Sequence, residues 1–174
     1  MTETVFPKIH LRALEPEDLS LLYTIENDAE MWDISASSTP ISKYALKQYL
    51  ALQPQDVYQS GELRLVIEHG TPAEALGLLD LTDISFRDGR AEVGIAVLRE
   101  KRGQGFGLAA LYAIETYAKT FLRLRLLYAH VSAGHNQISQ KLFKRAGYEN
   151  VALLPEWKMG SEGVEDVLIF QKKL

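Results

Sequence analysis

Residues 91–118 read AEVGIAVLREKRGQGFGLAALYAIETYA, and a change of period inside this stretch decides the fold. The first part alternates: Val93, Ile95 and Val97 share one face of a strand, and Glu92, Gly94 and Ala96 share the other. From Leu111 the apolar residues recur at helical spacing, through Ile114 and Ala118 to Phe121 and Leu122. Between the two lies Arg102-Gly103-Gln104-Gly105-Phe106-Gly107. A strand therefore runs through a glycine loop into a helix. The loop amides become the unpaired N–H groups of a helix N-terminus, which suits a phosphate or pyrophosphate.

The same reading extends outward. Residues 10–14 alternate as a first strand, and Glu15-Pro16-Glu17-Asp18 opens a helix with proline and acids in its first turn. A second helix is predicted over 43–52, ending before Pro54. Strands follow over 63–67 and 76–84, separated by the turn residues His69-Gly70-Thr71-Pro72. Asp88-Gly89 signals a hairpin into the strand at 91–98. Beyond the long helix come a strand over 125–131, a helix over 135–146 capped by Gly147, and strands over 148–154 and 164–171. The order β-α-α-β-β-β-α-β-α-β-β predicts an α/β (α+β) fold. It is a mixed, mostly antiparallel twisted sheet of about six to seven strands flanked by about four helices.

Composition narrows the function. The chain has 174 residues, 47% of them hydrophobic, enough for a single domain over 1–174 with a real core. The formal net charge of −4 gives no basic face for nucleic acid. There is no cysteine, which excludes a disulfide framework, a thiolate metal site and a cysteine nucleophile. His10, His69, His130 and His135 show no metal-ligand spacing and read as structural, so no metal is expected. No apolar run is long enough to cross a bilayer, and the N-terminus lacks the basic-then-apolar order of a signal peptide. A cytoplasmic protein is expected.

Spacing removes two kinds of glycine loop. The dinucleotide pattern G-x-G-x-x-G places Leu108 where its third glycine belongs, and the P-loop pattern meets the same leucine with no lysine after it. The run V97-L-R-E-K-R-G-Q-G-F-G-L-A-A instead resembles the cofactor loop of the GNAT superfamily of N-acetyltransferases, [QR]-x-x-G-x-[GA], with Arg102, Gly105 and Gly107 at its fixed positions. Downstream, H135-N-Q-I-S-Q-K-L-F-K-R-A-G-Y is similar to that superfamily's asparagine-led helix, matching at Asn136, Ser139, Leu142, Lys144, Gly147 and Tyr148. The segment L11-R-A-L-E-P-E-D-L resembles the start of the branch that acetylates ribosomal-protein N-termini and polyamines.

The resemblance implies acetyl-CoA as co-substrate and direct transfer to a primary amine, on a peptide N-terminus or a small polyamine. It implies that Arg102, Gly103, Gln104, Gly105, Phe106 and Gly107 hold the CoA pyrophosphate through their backbone. Ile95, Ala96 and Val97 would pair with the pantetheine arm, Asn136 would contact the cofactor, and Glu92 would serve as base. Members often pair as dimers. Phe143 departs from the pattern, because the superfamily usually has a tyrosine there as general acid to the CoA sulfur. Either no dedicated acid is needed, or Tyr128, Ser132 or Tyr148 replaces it, or the chain is a catalytically weak acyl-CoA-binding module. The acceptor site is expected near the two N-terminal helices and the last hairpin. Its candidates are Trp32, Asp33 and the small residues after it, Asp80, Asp83, Glu156 and Trp157.

Overall fold

The computed structural model describes residues 6–32, 39–54 and 56–174. Asp33 and the small residues after it therefore lie outside the described residues. Alternation becomes strand wherever it was read: β1 (Ile9–Ala13), β2 (Leu63–His69), β3 (Glu74–Ser85), β4 (Arg90–Val97), β5 (Leu126–Ser132), β6 (Glu149–Gly160) and β7 (Gly163–Lys173). They form one sheet in the order β1-β2-β3-β4-β5-β7-β6. Every neighbouring pair is antiparallel except β4 with β5.

Among the described residues there are six helices rather than about four. α1 (Leu19–Glu26), α3 (Lys43–Ala51), α5 (Phe106–Thr120) and α6 (Gln137–Arg145) were legible. The additions are single turns, α2 (Ala29–Trp32) and α4 (Val57–Ser60), too short to show a helical period. The last hairpin is also longer than predicted. β6 continues through Pro155 to Gly160, with a break in register between Leu154 and Lys158 that takes up the proline.

The two faces of the sheet bury different helices. On one, α5 lays Leu108, Leu111, Ile114 and Ala118 against Leu79, Leu81, Val93 and Leu127, with Phe143 and Phe170 completing the core. On the other, α1 and α3 bring Leu22, Ile25 and Leu46 over Val66 and Leu78. Glu92, Gly94 and Ala96 alternate toward the side of α1, opposite the face that carries Val93.

Two polar clusters fasten the layers. Arg12 donates to Asp18 at 2.6 and 2.8 Å and to Glu68 at 2.5 Å, joining β1, the turn before α1, and β2. Burial pulls the Asp18 carboxyl up, but Arg12 and the Glu15 amide outweigh it and hold it below the usual carboxylate range. Lys172 Nζ donates at 2.6 Å both to Glu115 Oε2 and to the Ala146 carbonyl, tying β7 to α5 and to the end of α6.

The feature that positions the site is a parting of strands. β4 and β5 pair only where Arg90, Ala91 and Glu92 meet Leu126, Leu127 and Tyr128. Past Glu92 both strands run on without pairing each other, and a gap opens between them.

Candidate active site

Two cavities occupy this gap and share Met31, Ile95, Ala96, Asn136 and Ser139 in their walls. The first, of about 310 Å³, lies at the start of α5. Of the sequence candidates, Ile95, Ala96, Val97, Arg102, Gly103, Gly105, Phe106, Gly107 and Asn136 line it. Gln104 does not; its side chain donates to the Glu100 carbonyl. Gly105 is the N-cap of α5 at φ +87°, a left-handed conformation that strains any other residue. At Gly107 an added Cβ would touch Leu142, another residue of the cavity wall, at 3.4 Å.

The backbone of β4 offers its groups to the gap. The Leu98 amide donates to the Leu76 carbonyl on β3. Ladder alternation then turns the groups of Val97 and Ile95 the other way, toward β5. The Val97 carbonyl is engaged there by Arg102 Nε at 2.9 Å. The Arg102 guanidinium is thus drawn back, lying also 4.0 Å from Asp28 and 3.8 Å from Glu30. Uncommitted charge comes from elsewhere. Lys141 and Arg145 on α6 line the first cavity and have no ion-pair partner among the described residues. Lys101, paired with Glu74 at 2.8 Å, and Arg102 stand in the same wall, whose described lining residues include no carboxylate.

Asn136 caps α6, its Oδ1 accepting from the Ser139 amide at 3.1 Å, and its side chain is buried between the two cavities. Both the glycine cradle and this cation wall suit a bulky polyphosphate, so the residues present fit the CoA portion of an acyl-CoA.

The second cavity, of about 320 Å³, has the opposite character. Glu92, Gly94 and Phe143 line it, together with Glu26, Arg64, Asp80, Thr82 and His130. Arg64 donates to Asp80 at 2.7 and 3.0 Å and to Glu26 at 2.8 Å, bridging β2, β3 and α1. Burial works against that guanidinium's charge, but Asp80 and Glu26 raise its pKa further. A third cavity of about 680 Å³ continues from Glu26, Arg64, Asp80 and Thr82 to Glu62 and Tyr49. Across these two, carboxylates outnumber cations.

His130, read from sequence as structural, lines this cavity as well. Its Nδ1 lies 2.7 Å from Glu92 Oε1. Glu92 is in register with Tyr128, and His130 is the next residue on the same face of β5. The signal for this contact was the alternation Tyr128-Ala129-His130 on a strand predicted to adjoin Glu92.

The suggested stand-ins for the missing tyrosine lie away from Phe143's place in the cavity. Tyr128 donates to Asp83 and accepts from Arg90. Ser132 donates to Glu165. The Tyr148 hydroxyl is buried on the far side near Glu115, and burial pushes its pKa well above the usual phenol range. Four acceptor candidates also fall elsewhere. Asp83 pairs with Arg90 at 2.7 Å outside the cavities. Glu156 and Trp157 stand on β6, at the far edge of the sheet, with Trp157 63% exposed. Trp32 donates to the Glu26 carbonyl at 3.0 Å without lining either cavity of the gap.

A family model for an acetyltransferase (GNAT) domain matches residues 8–149. The chain is 25% identical to the spermidine N(1)-acetyltransferase of Vibrio cholerae over 169 residues, 95% of each chain. It is 26% identical to that of Escherichia coli K12 over 140 residues, covering 80% of this chain and 72% of the other. The crystal structure of the Vibrio cholerae enzyme in complex with CoA and spermine superposes with a TM-score of 0.84 at 24% identity, covering 95% of both chains. At that identity the superposition speaks for the fold.

Proposed function

The chain belongs to the GNAT acetyltransferase family, and we propose that it moves the acetyl group of acetyl-CoA directly onto a primary amine of a polyamine. The observation that carries this reading is electrostatic. Two joined cavities meet in the β4–β5 gap, one walled by Lys101, Arg102, Lys141 and Arg145, the other by Glu26, Asp80 and Glu92 around one arginine. An anionic donor and a cationic acceptor would be drawn to opposite ends and meet between them. The relatives named as spermidine N(1)-acetyltransferases support the acceptor class.

Each residue then has a task. The amides of residues 102–107 hold the pyrophosphate at the start of α5, and Lys141 and Arg145 add charge. Ile95 and Val97 offer backbone groups to the pantetheine arm, and Asn136 contacts the cofactor between the cavities. Acetyl-CoA supplies the thioester and a thiolate leaving group. Glu92 serves the removal of the proton that an alkylammonium, with a pKa near ~10, must lose before it can attack. Phe143 packs beside the reacting end without a proton to give. A thiol, with a pKa near ~8.5, is a tolerable leaving group without an acid.

The test is release of free CoA from acetyl-CoA with spermidine, a peptide with a free N-terminus, and no acceptor. Release with spermidine well above both others is expected. Equal release with the peptide would overturn the polyamine assignment.

A further inference from the structure

We propose that His130 is a catalytic residue of this site, the group that takes the proton from the incoming amine, and that Glu92 is the residue that positions it. The inference rests on the acetyl-transfer reading above and changes which atom does the work.

His130 Nδ1 and Glu92 Oε1 are in contact at 2.7 Å. An ionised carboxylate can only accept, so Nδ1 carries the hydrogen. In the neutral ring the other nitrogen, Nε2, is then the acceptor. Glu92 thereby selects the tautomer and opposes the charge that appears when the ring takes a second proton. A carboxylate is a weak base toward an ammonium, and an imidazole is a stronger one. Both side chains line the second cavity beside Gly94 and Ala96, small residues that leave room for a substrate. Exposure of 34% for His130 and 30% for Glu92 gives the proton a way out to water.

The charged and titratable groups around the ring come from several elements. They are Glu92 from β4, Tyr128 with its ring 5.7 Å away, Asp83 from β3, and Asp80, Glu26 and Arg64 in the cavity wall. The steps balance. The ammonium gives one proton to Nε2, which passes it to water. The freed lone pair forms the C–N bond as the C–S bond breaks and sulfur leaves with its electrons. A second proton from nitrogen ends on sulfur, and one proton per turnover reaches the solvent.

The test uses the whole chain with acetyl-CoA and spermidine, following kcat/KM from about pH 6 to 10. His130→Asn keeps a donor for Glu92 and removes Nε2. It is expected to lose on the order of 100-fold near neutrality and to abolish the acidic limb of the profile, with the thermal upshift by acetyl-CoA unchanged. Glu92→Gln is expected to keep that limb and move it to lower pH, because an amide opposes the imidazolium charge less. A His130→Asn limb in place with a loss under about 3-fold would overturn the proposal. So would a Glu92→Gln profile without the limb. Ring nitrogen shifts of His130 give a readout free of turnover, and an Nε2–H tautomer would also overturn it. Absence of wild-type turnover with spermidine defeats the proposed function instead, and is seen before either variant is made.

Discussion

Phe143 shows how much one side chain decides. It is buried beneath the cavity floor with its ring centroid 5.1 Å from that of Tyr148 and 6.1 Å from that of Phe170. If the thiolate leaves unaided, Phe143→Tyr adds a hydroxyl without a task. The expected change in kcat is under about 3-fold, read from CoA release, whereas a rise of about 100-fold would show that acid catalysis had been missing. The replacement for the tyrosine was visible in the sequence because the motif around it is local. The pairing of Glu92 with His130 was not, because it depends on the register of two strands 38 residues apart. The direction of Arg102 was equally hidden. Its charge is drawn to Asp28 and Glu30, and nothing in the loop's own spacing announces α2.

Elements were legible where they repeat a period over several residues, and lost where they do not. α5 and the middle strands carry strong patterns, while α2 and α4 are single turns set by their neighbours. α6 earned its place by an asparagine motif, yet its outward cations matter as much. Lys141→Glu reverses a charge in the first cavity on an exposed, unpaired side chain. The KM for acetyl-CoA should rise about tenfold, less so in high salt, while that for spermidine stays put. The turn ahead of α1 supports a stability prediction. Asp18 is 4% exposed and held by Arg12 and the Glu15 amide. Asp18→Asn should cost about 2 kcal/mol at neutral pH, measured by denaturant unfolding. The folded carboxyl titrates below its unfolded value. Its contribution is therefore present above the ordinary range near ~3.9 and lost as pH falls through the folded value, so the two proteins should converge in acid.

At the scale of the molecule, any ligand of the native state must raise its stability. Acetyl-CoA at about 100 times its Kd should add about 2.7 kcal/mol, or roughly 8 °C in thermal unfolding, and no shift would refute cofactor binding. The sheet order was implied by the order of elements, because a hairpin meander followed by a helix crossover leaves few arrangements. Where the sheet would part was not implied, since it depends on how far β4 and β5 stay in register. That parting gives the protein an edge strand in the middle of a sheet rather than at its rim. Exposed edges invite foreign strands and aggregation. This one is walled by residues of α5 on one side and α6 on the other, around a cavity of only about 310 Å³. On the proposed function, a thin linear molecule bearing amides lies along it and uses the groups of Ile95 and the Val97 amide, the Val97 carbonyl being held by Arg102. So small a space beside an open strand edge favours a slender ligand over a polypeptide strand with side chains on both faces.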